Sequence, residues 1–129
     1  MADGGCLCGA VRYRFSGTPS SSDNCHCRSC RRASGAPVVA WITVGCSEFT
    51  LLSGAPAVFH SSPGVTRQFC SRCGTALTYQ SGRHPDTIDI TTASLDDPDA
   101  YPPTTEVWLE DRLSWQPTSP DTKKFDGFS

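Results

Sequence analysis

Seven of the eight cysteines in this chain fall into three short clusters, and only Cys46 stands apart. Cys6 and Cys8 form a C-x-C pair, Cys25, Cys27 and Cys30 a C-x-C-x-x-C group, and Cys70 and Cys73 a C-x-x-C pair. Gly9 follows the first pair and Gly74 the last, which suits tight loops whose backbone folds thiolates onto a metal. The two outer pairs flank most of the expected sheet. One zinc shared by Cys6, Cys8, Cys70 and Cys73 would clamp the first strand to a later hairpin. A closed site of four thiolates leaves no position for a substrate, so this site reads as structural. A redox function for Cys70 and Cys73 would expect a βαβ context of the thioredoxin type, which the sequence lacks.

The middle group supplies three ligands, the number that a catalytic zinc with one open position usually takes from its protein. A disulfide between Cys25 and Cys27 would be strained at that spacing. If the segment is extended, His26 alternates to the side opposite its neighbours. It therefore reads as a group behind the ligands or one touching a substrate rather than as a fourth ligand. The competing reading is a second structural zinc completed by His60, His84 or Cys46, although none of these has ligand spacing to the group. Cys46, in "ITVGCSEF", reads as a small half-buried residue.

Thiolates need a reducing compartment. The N-terminal "MADGGCLCGAVRYRF" lacks a basic segment followed by an apolar stretch, so a cytoplasmic location is expected, where metal binding is favoured over a disulfide framework. No apolar run approaches the roughly 18 residues of a membrane span, and no membrane partner is expected. The formal charge is −2, and seven thiolates around two zinc ions would add about −3. With no basic face interleaved with aromatics, no nucleic-acid partner is expected either. Nine of the eleven basic residues are arginines. Arg28, Arg31 and Arg32 surround the middle cysteines and make the local field positive.

The rest of the chain reads as one mainly β domain over residues 1–129, with a core at about 4–115 and a loose tail at 116–129. In "AVRYRF" (10–15) Val11, Tyr13 and Phe15 alternate with Arg12 and Arg14, the period of a half-buried strand. Further strands are expected at 37–44, 48–54, 57–62, 65–69, 76–80 and 87–93, each bounded by turn residues. The Pro- and Asp-rich segment 95–106 reads as a surface loop, followed by one more strand. The single short helix is expected at 27–35, ending at Gly35 before Pro37.

The stretches "GGCLCGAVRY", "CHCRSCRRASGAP" with "VVAWITV" after it, "SSPGVTRQFCSRCGTALTY" and "VWLEDRLSW" resemble the glutathione-dependent formaldehyde-activating enzymes, whose domain is shared with centromere protein V. The resemblance implies a zinc-stapled, mostly antiparallel β-tent-like fold with little helix. It also implies two zinc ions, one structural on Cys6, Cys8, Cys70 and Cys73 and one on Cys25, Cys27 and Cys30. The activity implied is that of a carbon–sulfur lyase, which joins glutathione or a similar small thiol to formaldehyde or a small aldehyde and gives S-hydroxymethylglutathione. The chain departs from the family at Glu106, where relatives often carry a histidine ahead of the tryptophan motif.

On this reading Cys25, Cys27 and Cys30 carry the catalytic zinc, which holds the substrate sulfur as a thiolate. Arg28, Arg31, Arg32 and Arg67 are the candidates for forks around the glutathione carboxylates, and Asp23 and Asn24 could orient the ligands. Two alternatives stand beside it. One is a non-catalytic zinc-stapled binding or scaffold module like the β-tent exchange-factor chaperones, and the other is a different thiol or aldehyde reaction on the same open zinc.

Overall fold

Strand alternation organises the molecule. The computed structural model describes residues 1–128. In chain order the elements are β1 (Ala2–Gly5), β2 (Arg12–Phe15), β3 (Ser21–Cys25), α1 (Arg28–Ser34), β4 (Val39–Gly45), β5 (Phe49–Ser53), β6 (Ala57–Phe59), β7 (Val65–Phe69), β8 (Ala76–Ser81), β9 (Thr87–Thr91), β10 (Thr105–Val107) and β11 (Lys123–Lys124). Short 3-10 turns link several of them. β1, β2 and β5 form a three-stranded antiparallel sheet in the order β1-β2-β5, and the other strands form a second sheet in the order β11-β10-β3-β4-β9-β8-β7-β6. A bridge from Gly4 to Leu95 joins the first sheet to the segment after β9. Among the described residues no helix is long and apolar enough to cross a membrane.

The mainly β fold with one short helix agrees with the sequence, and every strand expected there is present, β7 with the expected ends and the others with shifted ones. Three strands lie outside those expectations, β1, β3 and β11. β1 has the composition "ADGG" and β3 "SSDNC", both poor in the β-branched and aromatic residues that favour strands. β3 forms because β4 pairs along its whole length on one side and β10 on the other. Neighbouring strands thus override its local preference. The sheet also departs from a uniformly antiparallel one, since β10 runs parallel to both β3 and β11. β11 lies within the stretch expected to be a loose tail, and that stretch is fastened by main-chain bonds from Phe125 N to Glu106 O and from Trp108 N to Gly127 O.

The large sheet separates two environments. On one face Ile42, Val44, Leu77, Ile88 and Ile90 pack with Val11, Tyr13 and Phe15 of the small sheet into the main core, which also takes in Cys6 and Cys70. Tyr13 stacks on Phe49 with ring centroids 5.6 Å apart. Burying each such large side chain stabilises the fold by about 1.5 to 3 kcal/mol. On the other face Val39, Trp41, Cys25, Cys30 and Val107 make a smaller cluster. The register in β8 slips between Gln68 and Phe69 of its partner, so that Gln68 opposes Thr78 and Phe69 opposes Ala76. Leu77 is the residue left over, as in a β-bulge. That irregularity lets Leu77 enter the main core while Tyr79 joins the other face.

Candidate metal centres and cavity

The four outer cysteines converge although more than sixty residues separate the two pairs. Cys6 and Cys8 lie in the turn between β1 and β2, and Cys70 and Cys73 in the turn between β7 and β8. Their four sulfur atoms all lie within 4.8 Å of one another. Gly9 and Gly74 adopt left-handed conformations, φ 81° and 80°. Their N–H groups close the two turns onto the carbonyls of Cys6 at 3.1 Å and Cys70 at 2.9 Å. The turns aim backbone donors at sulfur: Val11 N–H bonds Cys6 Sγ at 3.2 Å, and Arg72 N–H bonds Cys70 Sγ at 3.4 Å. The Val11 N–H lowers the Cys6 thiol's pKa. The Thr75 hydroxyl, followed by its N–H, pulls that of Cys73 down to about 5.

Four sulfurs this close cannot all ionise without a cation between them. With four soft donors and backbone N–H groups facing them, the residues fit a metal of zinc's type.

The middle cluster is built at the junction of strand and helix. Cys25 ends β3, Cys27 caps α1 by accepting the Cys30 N–H on Sγ at 3.2 Å, and Cys30 sits in the first helical turn. Their sulfur atoms lie within 4.8 Å of one another, and among the described residues neither histidine nor carboxylate joins the group. Arg67 approaches from β7, with its two terminal nitrogens 3.9 and 3.8 Å from Cys30 Sγ and its guanidinium 5.0 Å above the Tyr79 ring. Hydrogen bonds from Cys25 and Cys30 pull the Cys27 thiol's pKa well down, helped by the Cys30 N–H and the Arg67 charge and opposed by burial. This donor set also fits a soft divalent metal, with three ligands from the protein.

These three cysteines form one wall of a cavity of about 930 Å³. Its floor is the second face of the large sheet. Register places Ser21 opposite Thr43, Thr43 opposite Asp89, Asp89 opposite Tyr79 and Tyr79 opposite Arg67, a single row across four strand pairs. Ser21 Oγ donates to Thr43 Oγ1 at 2.8 Å, and Thr43 Oγ1 donates to Asp89 Oδ1 at 2.6 Å. Burial pushes the Asp89 carboxyl's pKa up against the Thr43 hydrogen bond, and the nearby Asp23 adds repulsion. The cavity is therefore cationic at Arg67, at the β7 end of the row, and carries the Asp89 carboxyl at the middle of the row, with Asp23 beside it on β3. Trp108 also faces it, held in the left-handed region (φ 58°). An aromatic residue reaches that region only when its surroundings impose it.

The structure distributes the residues singled out in the sequence. Arg28, Arg67 and Asp23 line the cavity with the three cysteines, whereas Arg31 and Arg32 do not. Asn24 and His26 point away from it, on the reverse face of β3. His60 Nδ1 lies 3.2 Å from Val65 O, and Cys46 Sγ accepts from Gln80 Nε2 at 3.4 Å. Neither belongs to a sulfur cluster. His84 lines the cavity but joins no cluster either. Asp89, Thr43, Tyr79 and Arg83 were not found from sequence. The signal for Asp89 and Thr43 was strand parity, since each alternates with Ile42, Ile88 or Ile90, whereas Tyr79 shares the parity of the core residue Leu77 and reaches the cavity face only through the bulge.

Comparison with known proteins supplies a context. The family model described as glutathione-dependent formaldehyde-activating enzyme matches residues 1–111. A protein of Halomonas elongata, named as a glutathione-dependent formaldehyde-activating enzyme, is 30% identical over 125 residues, spanning 89% of this chain and 79% of its own length. A crystal structure of a Rhodobacter sphaeroides protein superposes with a TM-score of 0.63 at 25% identity, covering 73% of this chain and 87% of that one.

Proposed function

Because the chain belongs to the glutathione-dependent formaldehyde-activating enzyme family, we propose that the cavity over Cys25, Cys27 and Cys30 is where glutathione, or a closely similar thiol, condenses with formaldehyde to give S-hydroxymethylglutathione. The observation that carries this reading is the placement of three sulfurs, with no other ligand among the described residues, on the wall of a cavity large enough for a tripeptide. Zinc held by these three cysteines would supply a fourth position for the substrate sulfur and lower its pKa below the free value of about 8.5. A second zinc on Cys6, Cys8, Cys70 and Cys73 would serve the fold alone.

The chain's own residues do the recognition. Arg67, with Arg28 at the start of α1, receives glutathione carboxylates, for which the planar guanidinium fork is suited. Asp89 and Asp23 face the same cavity, where burial raises both carboxyls. The substrate ammonium placed beside them would offset that penalty. Trp41 and Tyr79, whose ring centroids lie 6.1 Å apart, supply apolar wall. In the reaction a sulfur lone pair forms the carbon–sulfur bond to formaldehyde, and the carbonyl oxygen takes up a proton. The reverse direction is that of a carbon–sulfur lyase. We place the reaction in the cytoplasm, where glutathione is kept reduced.

Titration calorimetry tests this reading. Reduced glutathione should bind, S-methylglutathione should bind far more weakly because its blocked sulfur cannot ionise, and Arg67→Ala should weaken the reduced form by about 1.5 to 3 kcal/mol. Equal affinity for both peptides would leave the non-catalytic binding module as the better account.

A further inference from the structure

Behind the middle cysteines, on the reverse of the cavity floor, Glu106 is 1% exposed and His26 fully buried. A carboxylate in such a place is costly unless its oxygens are bonded, and both are. Oε1 lies 2.7 Å from His26 Nε2, and Oε2 accepts from Asn24 Nδ2 at 3.0 Å. β10 runs parallel to β3 with Glu106 opposite Asn24 and Val107 opposite Cys25, and the His26 N–H extends the pairing to Val107 O at 3.0 Å. One carboxyl therefore grips the two side chains that flank Cys25. Alternation along an extended chain sends Asn24 and His26 to one side and Cys25 and Cys27 to the other.

From this arrangement we infer that Glu106 is a positioning residue for the middle metal centre. By holding Asn24 and His26 together it fixes the twist of residues 24–27, and with it the direction in which the Cys25 and Cys27 sulfurs enter the cavity. Neither His26 nor Glu106 touches the cavity itself, so the effect passes through the backbone of β3. The inference rests on the reading that Cys25, Cys27 and Cys30 hold a metal.

Cobalt(II) loaded into the full chain tests it, because the two cysteine clusters serve as each other's control. The native chain should take up two cobalt ions, with sulfur-to-cobalt charge-transfer bands from both centres. A Cys27→Ser chain gives the spectrum of the outer centre alone. In Glu106→Ala, release of the middle cobalt to a chelator should accelerate about 10- to 100-fold with a shifted band, while the outer centre keeps its native band and rate. Glu106→Gln should restore native behaviour, since its carbonyl can accept the His26 imidazole N–H while its amide donates to Asn24 Oδ1 once the Asn24 amide flips.

Native release from the middle centre of folded Glu106→Ala would overturn the inference, and so would an equal acceleration at both centres. If Glu106→Ala does not fold, Asn24→Ala replaces it and should move the middle centre in the same direction by a smaller factor. An unchanged middle centre in that variant overturns the inference as well. A native chain that takes up cobalt at the outer cluster alone removes the metal reading, and this inference with it.

Discussion

Cys70→Ser should leave the chain unfolded or insoluble. Cys70 is 1% exposed and belongs to the main core. Its sulfur accepts the N–H groups of Arg72 and Cys73 and lies 3.7 Å from that of Cys8. The four outer sulfurs join the turn between β1 and β2 in the small sheet to the turn between β7 and β8 in the large one. A serine hydroxyl would replace a metal-binding thiolate at the centre of that joint. Structural zinc in small domains contributes on the order of 10 kcal/mol or more to folding, and a domain of this size has a net stability of about 5 to 15 kcal/mol. Losing one of four ligands can therefore consume the whole margin. Soluble yield, circular dichroism and metal content check this outcome. A folded Cys70→Ser chain with full metal content would refute the clamp.

Cys27→Ser should behave in the opposite way, staying folded and losing function. Cys27 begins α1 by accepting the Cys30 N–H on its side chain. Serine is among the best residues at that position, so the helix start survives the change. What the substitution removes is one of three thiolates at a centre that already takes only three ligands from the protein. Metal content should fall from two ions per chain to one with the circular dichroism spectrum unchanged. Glutathione should lose the component of its affinity that depends on a free thiol. A fold that collapses along with the metal would show that the two centres are coupled.

The contrast between these variants was legible in the sequence because cysteine spacing is a local signal with a direct chemical meaning. The alternation of Val11, Tyr13 and Phe15 placed β2 with equal directness. β3 was not legible, because Ser21, Ser22, Asp23 and Asn24 become a strand only between β4 and β10. Four arginines were expected near the middle centre. Two of them, Arg31 and Arg32, do not line the cavity, since charge near a motif says nothing of which way a helix turns its side chains. Asp89 and Tyr79 were hidden for the converse reason: they reach the cavity through cross-strand register, which joins residues far apart in the chain. Glu106 could be noticed only as a departure from the family pattern. Its bonds to Asn24 and His26 appear once β10 is seen to run parallel to β3.

Turnover decides the central claim. Exchange NMR can follow the conversion of glutathione and formaldehyde into S-hydroxymethylglutathione with no protein, with the native chain and with Cys27→Ser. The account predicts that the native chain raises the exchange rate above the spontaneous one, and that Cys27→Ser, folded and still carrying its outer metal, returns it to the spontaneous value. Equal rates in all three samples would contradict it.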